Sequence, residues 1–140
     1  MLLLYLPKPM AADPSLFLKN LWYMAFHGSF LKKGQLIGKE MLGEKIVFGR
    51  DSSGKVFALR DNCPHRGVPL SEGWFEKDML QCCYHGWQFG TDGVCKNIPA
   101  IAPGSKVDCS KIRVFRYPIR EISGTIWIFI PDKKLHMEVA

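Results

Sequence analysis

The sequence predicts an all-β fold of stacked antiparallel sheets. Its apolar residues come in short runs divided by Gly, Asp and Ser. No stretch sustains the 3.6-residue period of a major helix. Three segments also carry hairpin chemistry: Asp51-Ser52-Ser53-Gly54, Thr91-Asp92-Gly93 and Ser123-Gly124. The expected strands follow in order. Residues 22–26 hold the aromatics Trp22, Tyr23 and Phe26, which favour a pleated surface, and residues 35–41 form the next apolar run. Residues 45–50 and 56–60 flank the first hairpin signal. Residues 79–82 and 88–89 bracket a Gly-containing loop, and residues 113–121 and 125–130 flank Ser123-Gly124. Residues 98–103 contain two prolines and no charge, which predicts an ordered apolar loop lying against something buried.

The 140-residue length suits one domain. With 47% hydrophobic and 23% charged residues the body of the chain should fold. Pro7, Pro9 and Pro14 interrupt regular pairing, so residues 1–14 read as a tail. Residues 15–132 form the domain, and residues 133–140 are a C-terminal tail or the start of a further domain. The net charge of +6 comes from scattered Lys and Arg with no basic run longer than a pair, which argues against nucleic acid and favours an acidic protein partner. No apolar stretch reaches the roughly 20 residues that cross a bilayer, so no membrane association is expected. Five cysteines, an odd number, fit a reducing compartment and a metal site better than a disulfide framework, with the cytoplasm as the expected location.

Two segments hold the candidate ligands, Cys63-Pro64-His65-Arg66-Gly67 and Cys82-Cys83-Tyr84-His85-Gly86-Trp87. The pattern is C-x-H, sixteen residues, then C-x-x-H. Each segment offers one thiolate and one imidazole, which suits a two-iron cluster with two Cys on one iron and two His on the other. Two ferric ions, two sulfides and two thiolates sum to formal neutrality, so such a cluster accepts an electron more readily than one held by four thiolates. Neutral imidazoles also couple redox state to histidine protonation, which predicts a potential falling with pH above neutrality. Gly67 and Gly86 sit where the loops must turn tightly, Pro64 stiffens the first loop, and the 98–103 segment, with Pro99, is a candidate third loop covering the site with Trp87 beside it.

These residues, with Leu21-Trp22-Tyr23, Asn62, Pro69-Leu70-Ser71, Phe89 and Asn97-Ile98-Pro99, resemble the Rieske domain, and most closely the N-terminal domain of Rieske non-haem iron oxygenases of the vanillate demethylase-like and phthalate dioxygenase-like groups. The resemblance runs from about Leu16 to Pro131. It implies stacked antiparallel sheets with two cluster-binding loops at their tip and one 2Fe–2S cluster. Cys63 and Cys82 would hold the buried iron, and His65 and His85 the exposed one. It further implies a reductase or ferredoxin as electron donor, a mononuclear-iron oxygenase domain as acceptor, and a homo-oligomer, since family members form rings of three. Respiratory Rieske proteins carry a loop-bridging disulfide where this chain has Val68 and Tyr84, and sulfur-directed hydroxyls where it has Trp87 and Phe89. Fewer hydrogen bonds to sulfur place the expected potential near the low end of the Rieske span, roughly −150 mV rather than +300 mV.

Only His27 and His136 remain for a mononuclear iron, without the required carboxylate spacing, so the chain itself should hold no catalytic iron site. It is then the electron-transfer domain of an oxygenase; a stand-alone Rieske ferredoxin is the alternative, and a structural zinc module the remote one. Cys83 reads as a buried small hydrophobe, Cys95 and Cys109 as packing or surface thiols, and Trp22, Trp74 and Trp127 as core aromatics, with an interface near the cluster as the alternative for Trp74. Arg66 either shapes the cluster's field or guides a partner, or is a solvated arginine anchored by a surface carboxylate.

Overall fold

The computed structural model describes residues 17–101, 104–105 and 108–132. The 1–14 tail, Pro103 at the far end of the proposed third loop, His136 and the 133–140 tail lie outside the described residues. Among the described residues ten strands make three antiparallel sheets: β1 (Leu21–His27), β2 (Leu36–Met41), β3 (Glu44–Arg50), β4 (Val56–Arg60), β5 (Trp74–Glu76), β6 (Met79–Gln81), β7 (Gln88–Gly90), β8 (Cys95–Asn97), β9 (Ile119–Ile122) and β10 (Thr125–Ile130). The sheet orders are β1-β10-β9, β2-β3-β4 and β5-β6-β7-β8. Among the described residues there is no α-helix, and no helix long and apolar enough to cross a membrane.

The layering follows from β3 and β4, whose unbroken apolar runs leave no face for water. Ile46, Phe48, Val56 and Ala58 join a core with Ala25, Tyr117, Ile126, Ile128 and Ile130. The alternate residues Val47, Phe57 and Leu59 join a second core with Leu80, Phe89, Cys63, Cys82 and Cys95. The β2-β3-β4 sheet therefore lies between the other two, and the period of 2 sorts its side chains between the two cores. Burying a side chain of Leu80 or Phe89 size contributes about 1.5–3 kcal/mol.

The three hairpin signals form turns as expected. Asp51 Oδ1 accepts from Ser53 N–H and Lys55 N–H, both at 2.9 Å, between β3 and β4. Two strands escape the sequence reading, β5 and β8, each only three residues long. The 113–121 strand is shorter than expected. Only Ile119–Ile122 pairs as a strand, while Arg113 and Arg116 make isolated bridges to Val94 and Leu59. Pro118 has no N–H to donate, and the chain there is crossing from one core to the other.

The core assignment of three tryptophans is corrected. Trp74 is 59% exposed, Trp22 is 38% exposed and Trp127 is half-buried. Along β10 the isoleucines at 126, 128 and 130 alternate inward, so Trp127 and Phe129 face outward; Trp22 packs edge-on against Phe129 at 5.6 Å, with the Arg120 guanidinium 4.9 Å from its ring.

Candidate metal centre

Both ligand segments are loops at one end of the β5-β6-β7-β8 sheet. The second joins β6 to β7, and the first leads from β4 toward β5. They close in the same way. Cys63 N–H donates to Val68 O at 2.8 Å, and Cys82 N–H donates to Trp87 O at 2.8 Å. Each cysteine thus begins a loop tied back five residues later, and each loop needs left-handed backbone to close. Gly67 has φ +73° and Gly86 φ +69°, as the tight turns required. A Cβ on Gly86 would lie 3.3 Å from Gln81 Nε2 and 3.5 Å from Pro99 Cγ, so Pro99 does rest against the second loop. His85 also has φ +66°, a strained conformation for a side-chain-bearing residue, costing about 1–3 kcal/mol and met at functional sites.

The first loop hangs from a buried carboxylate. Asp61, 7% exposed, accepts from Ser71 N–H at 2.7 Å and from Ser71 Oγ at 2.5 Å, fastening the loop's entry to its exit. Nothing in the sequence reading singled out this pair, because ten residues separate it and neither belongs to the ligand motif.

The loops bring the candidate ligands together as two pairs. Cys63 and Cys82 are buried free thiols close enough to interact. Burial pushes the Cys82 thiol up, and the neighbouring Cys63 adds to this, against a lowering contribution from Tyr84 N–H, which donates to Cys82 Sγ at 3.5 Å. The His65 and His85 rings lie 5.4 Å apart. His65 is half-buried and His85 exposed. Trp87 stacks on His65 from the opposite loop, centroids 4.4 Å apart and planes 9° off parallel, a contact that the sequence did not indicate. Tyr84, 44% exposed, sits edge-on to His85 at 4.1 Å.

Two observations test whether this donor set fits a two-iron cluster. His65 Nδ1 is buried with no hydrogen-bond partner among the described residues, as an imidazole nitrogen reserved for a metal would be. Among the described residues no three His, Cys, Asp or Glu side chains converge on one point. A cluster taking two protein ligands on each of two irons needs no such convergence. The residues fit the cluster.

Other expectations divide. Pro64 and Arg66 are exposed on the first loop. Cys83 is exposed, not buried, because residues 83–86 bow outward from the Cys82–Trp87 closure instead of continuing the strand. Cys95 is a buried packing thiol as expected, next to half-buried Cys109. Burial first, then Cys109 and Cys63, pushes the Cys95 thiol up to about 12. His27 takes no part in the centre; its Nδ1 accepts from Ser29 N–H at 3.3 Å and caps a short 3-10 turn.

The chain resembles known proteins along most of its length. The family model of the Rieske [2Fe-2S] domain matches residues 21–118. The chain is similar to the 3-chlorobenzoate-3,4-dioxygenase oxygenase subunit of Comamonas testosteroni, 36% identical over 123 residues, covering 87% of this chain and 28% of that protein. It is similar to the vanillate O-demethylase oxygenase subunit of a Pseudomonas species, 37% identical over 123 residues, covering 86% of this chain and 32% of that protein. Among solved structures it resembles dicamba monooxygenase (TM-score 0.75, 34% identity, 85% of this chain and 36% of that one). It also resembles a chain from the complex between oxygenase and ferredoxin in carbazole 1,9a-dioxygenase (TM-score 0.72, 28% identity, 81% of this chain and 29% of that one). The chain spans about a third of the length of these relatives.

Proposed function

This chain belongs to the Rieske [2Fe-2S] domain family, and we propose that it is the electron-transfer domain of a Rieske oxygenase, spanning residues 15–132, with Cys63 and Cys82 holding the inner iron and His65 and His85 the outer one. The observation that carries the ligand assignment is the pairing of two buried thiols with two neighbouring imidazoles, one of which keeps a buried nitrogen unpartnered. When bound, the cluster supplies a reversible one-electron centre.

The chain's own residues prepare that centre. The two closed loops set the thiols behind the imidazoles, so water is kept from the sulfur side by Leu80, Phe89 and Ile98 of the core. Trp87 holds the plane of the His65 ring and covers one face. Exposed His85 and Tyr84 make the outer edge the port through which an electron leaves. Oxygenase relatives three times as long favour the domain reading over a stand-alone ferredoxin. A ferredoxin or reductase as donor, a mononuclear-iron domain as acceptor, a ring of copies and a cytoplasmic location belong to this proposal. The five free thiols suit a reducing compartment.

Anaerobic reconstitution tests it. The protein should bind two irons and two acid-labile sulfides per chain and give a Rieske-type paramagnetic resonance signal when reduced. His65→Ala and His85→Ala should each abolish that signal, while His27→Ala keeps it. A signal that survives loss of either histidine would overturn the ligand assignment.

A further inference from the structure

We propose that a groove beside the first ligand loop is the docking surface for an acidic electron-donor protein, with Arg66, Arg113 and Arg116 as its carboxylate-binding contacts; this rests on the electron-transfer reading above and names the surface that reading requires.

The groove has a volume of about 610 Å³ and reaches Cys63 and His65 but neither Cys82 nor His85, so it flanks one side of the candidate centre instead of enclosing it. Its three outer arginines come from two segments far apart in sequence. Arg66 follows a candidate ligand, whereas Arg113 and Arg116 lie on the crossing segment, whose intervening Val114 and following Tyr117 point into the two cores. Both arginines are exposed, and the single bridges from Arg113 to Val94 and from Arg116 to Leu59 hold that segment beside the loop. A fourth arginine, Arg60, lines the same groove and acts on the buried Tyr117.

No ion pair shown among the described residues involves Arg66, Arg113 or Arg116. Ion pairs elsewhere among the described residues join Arg50 to Glu121 at 2.5 Å and Lys96 to Asp92 at 3.2 Å. Asp92, the one acidic residue lining the groove, is the residue held by Lys96. Arg66, Arg113 and Arg116 are therefore exposed in the groove with no ion pair among the described residues. Like charges gathered in a concave surface repel one another, and the focused positive potential attracts an acidic partner. Guanidinium groups bind carboxylates through two parallel hydrogen bonds, a geometry that lysines do not offer. An open groove of this size with three separated guanidinium groups suits a protein surface bearing several carboxylates better than a single small anion. A partner seated there touches the His65 side of the centre, leaving the His85 and Tyr84 edge free for the acceptor.

The test uses the full chain with its cluster reconstituted and, as probe, an acidic plant-type [2Fe–2S] ferredoxin reduced by NADPH through its reductase. Cluster reduction is followed by stopped-flow absorbance at several salt concentrations. In the double variant Arg113→Glu, Arg116→Glu the rate at low ionic strength should fall at least about tenfold, with the gap closing as salt rises. Arg113→Lys, Arg116→Lys should fall between the two. Reduction by photo-excited deazaflavin, which needs no docking, should be the same in all three proteins. Equal ferredoxin rates and equal salt dependence in variant and wild type would overturn the proposal. So would saturable competition by inorganic phosphate at fixed ionic strength that is lost in the double variant while the ferredoxin rate is unchanged, since that marks a small-anion site. A wild-type chain with no cluster absorbance would instead remove the electron-transfer reading itself, and this inference with it.

Discussion

Removing the Asp61 carboxylate should loosen the first ligand loop without touching a ligand. Asp61 is 7% exposed and accepts two hydrogen bonds from Ser71, at 2.7 Å from N–H and 2.5 Å from the hydroxyl. Hydrogen bonds to a charged group contribute about 1.5–3 kcal/mol each, and a part-buried donor left unpaired costs about 1–3 kcal/mol. Asp61→Ala should therefore cost about 3–5 kcal/mol, a large share of the 5–15 kcal/mol that stabilises a typical domain. Asp61→Asn keeps one acceptor oxygen and should cost about 1–2 kcal/mol. The assay is urea unfolding of the reduced, metal-free chain, with a cycle of Asp61→Ala, Ser71→Ala and the double variant. A coupling energy of about 1–2 kcal/mol is expected. Because the clamp joins the entry and exit of the loop that carries Cys63 and His65, the reconstituted cluster should also be lost to a chelator faster in Asp61→Ala. A stability change under about 0.5 kcal/mol, or zero coupling to Ser71, would refute the reasoning.

Three further outcomes follow from the same geometry. Gly86→Ala should cost about 1–2 kcal/mol, read by thermal unfolding, because it places a side chain at φ +69° with Gln81 Nε2 only 3.3 Å from the new Cβ. Glu121 is held below the usual carboxylate range chiefly by its hydrogen bond from Arg50. Its contribution is therefore present above the unfolded carboxylate pKa and is lost as pH falls through the lower folded value. Its side chain is 33% exposed, so after screening Glu121→Gln should cost about 1 kcal/mol at pH 7, with the gap to wild type closing under acid. In the metal-free chain at pH 8, iodoacetamide should modify exposed Cys83 first and leave Cys95 unmodified until unfolding. Cys95 is buried and its thiol is pushed up to about 12, so mass spectrometry of the alkylated peptides checks the order.

What the sequence by itself determined is local. The hairpin at Asp51-Ser52-Ser53-Gly54, the alternation of Ile126, Ile128 and Ile130, and the C-x-H and C-x-x-H spacing are all set within a few residues, where turn chemistry and a period of 2 act directly. The ligand types and their loops could be read for that reason, and so could the all-β class. Three-residue strands such as β5 and β8 could not, because so short a run carries no period. Nor could exposed Cys83 and Trp74, since which face of a strand or loop meets a core depends on what is stacked against it. Only the tertiary structure decided that Trp87 lies flat on His65 from the other loop, that Asp61 fastens to Ser71, and that Arg66 lines one groove with Arg113 and Arg116. Each of these joins residues from 10 to 50 positions apart. Side-chain type fixes what such a contact is worth, but only the packing of three sheets fixes which groups meet.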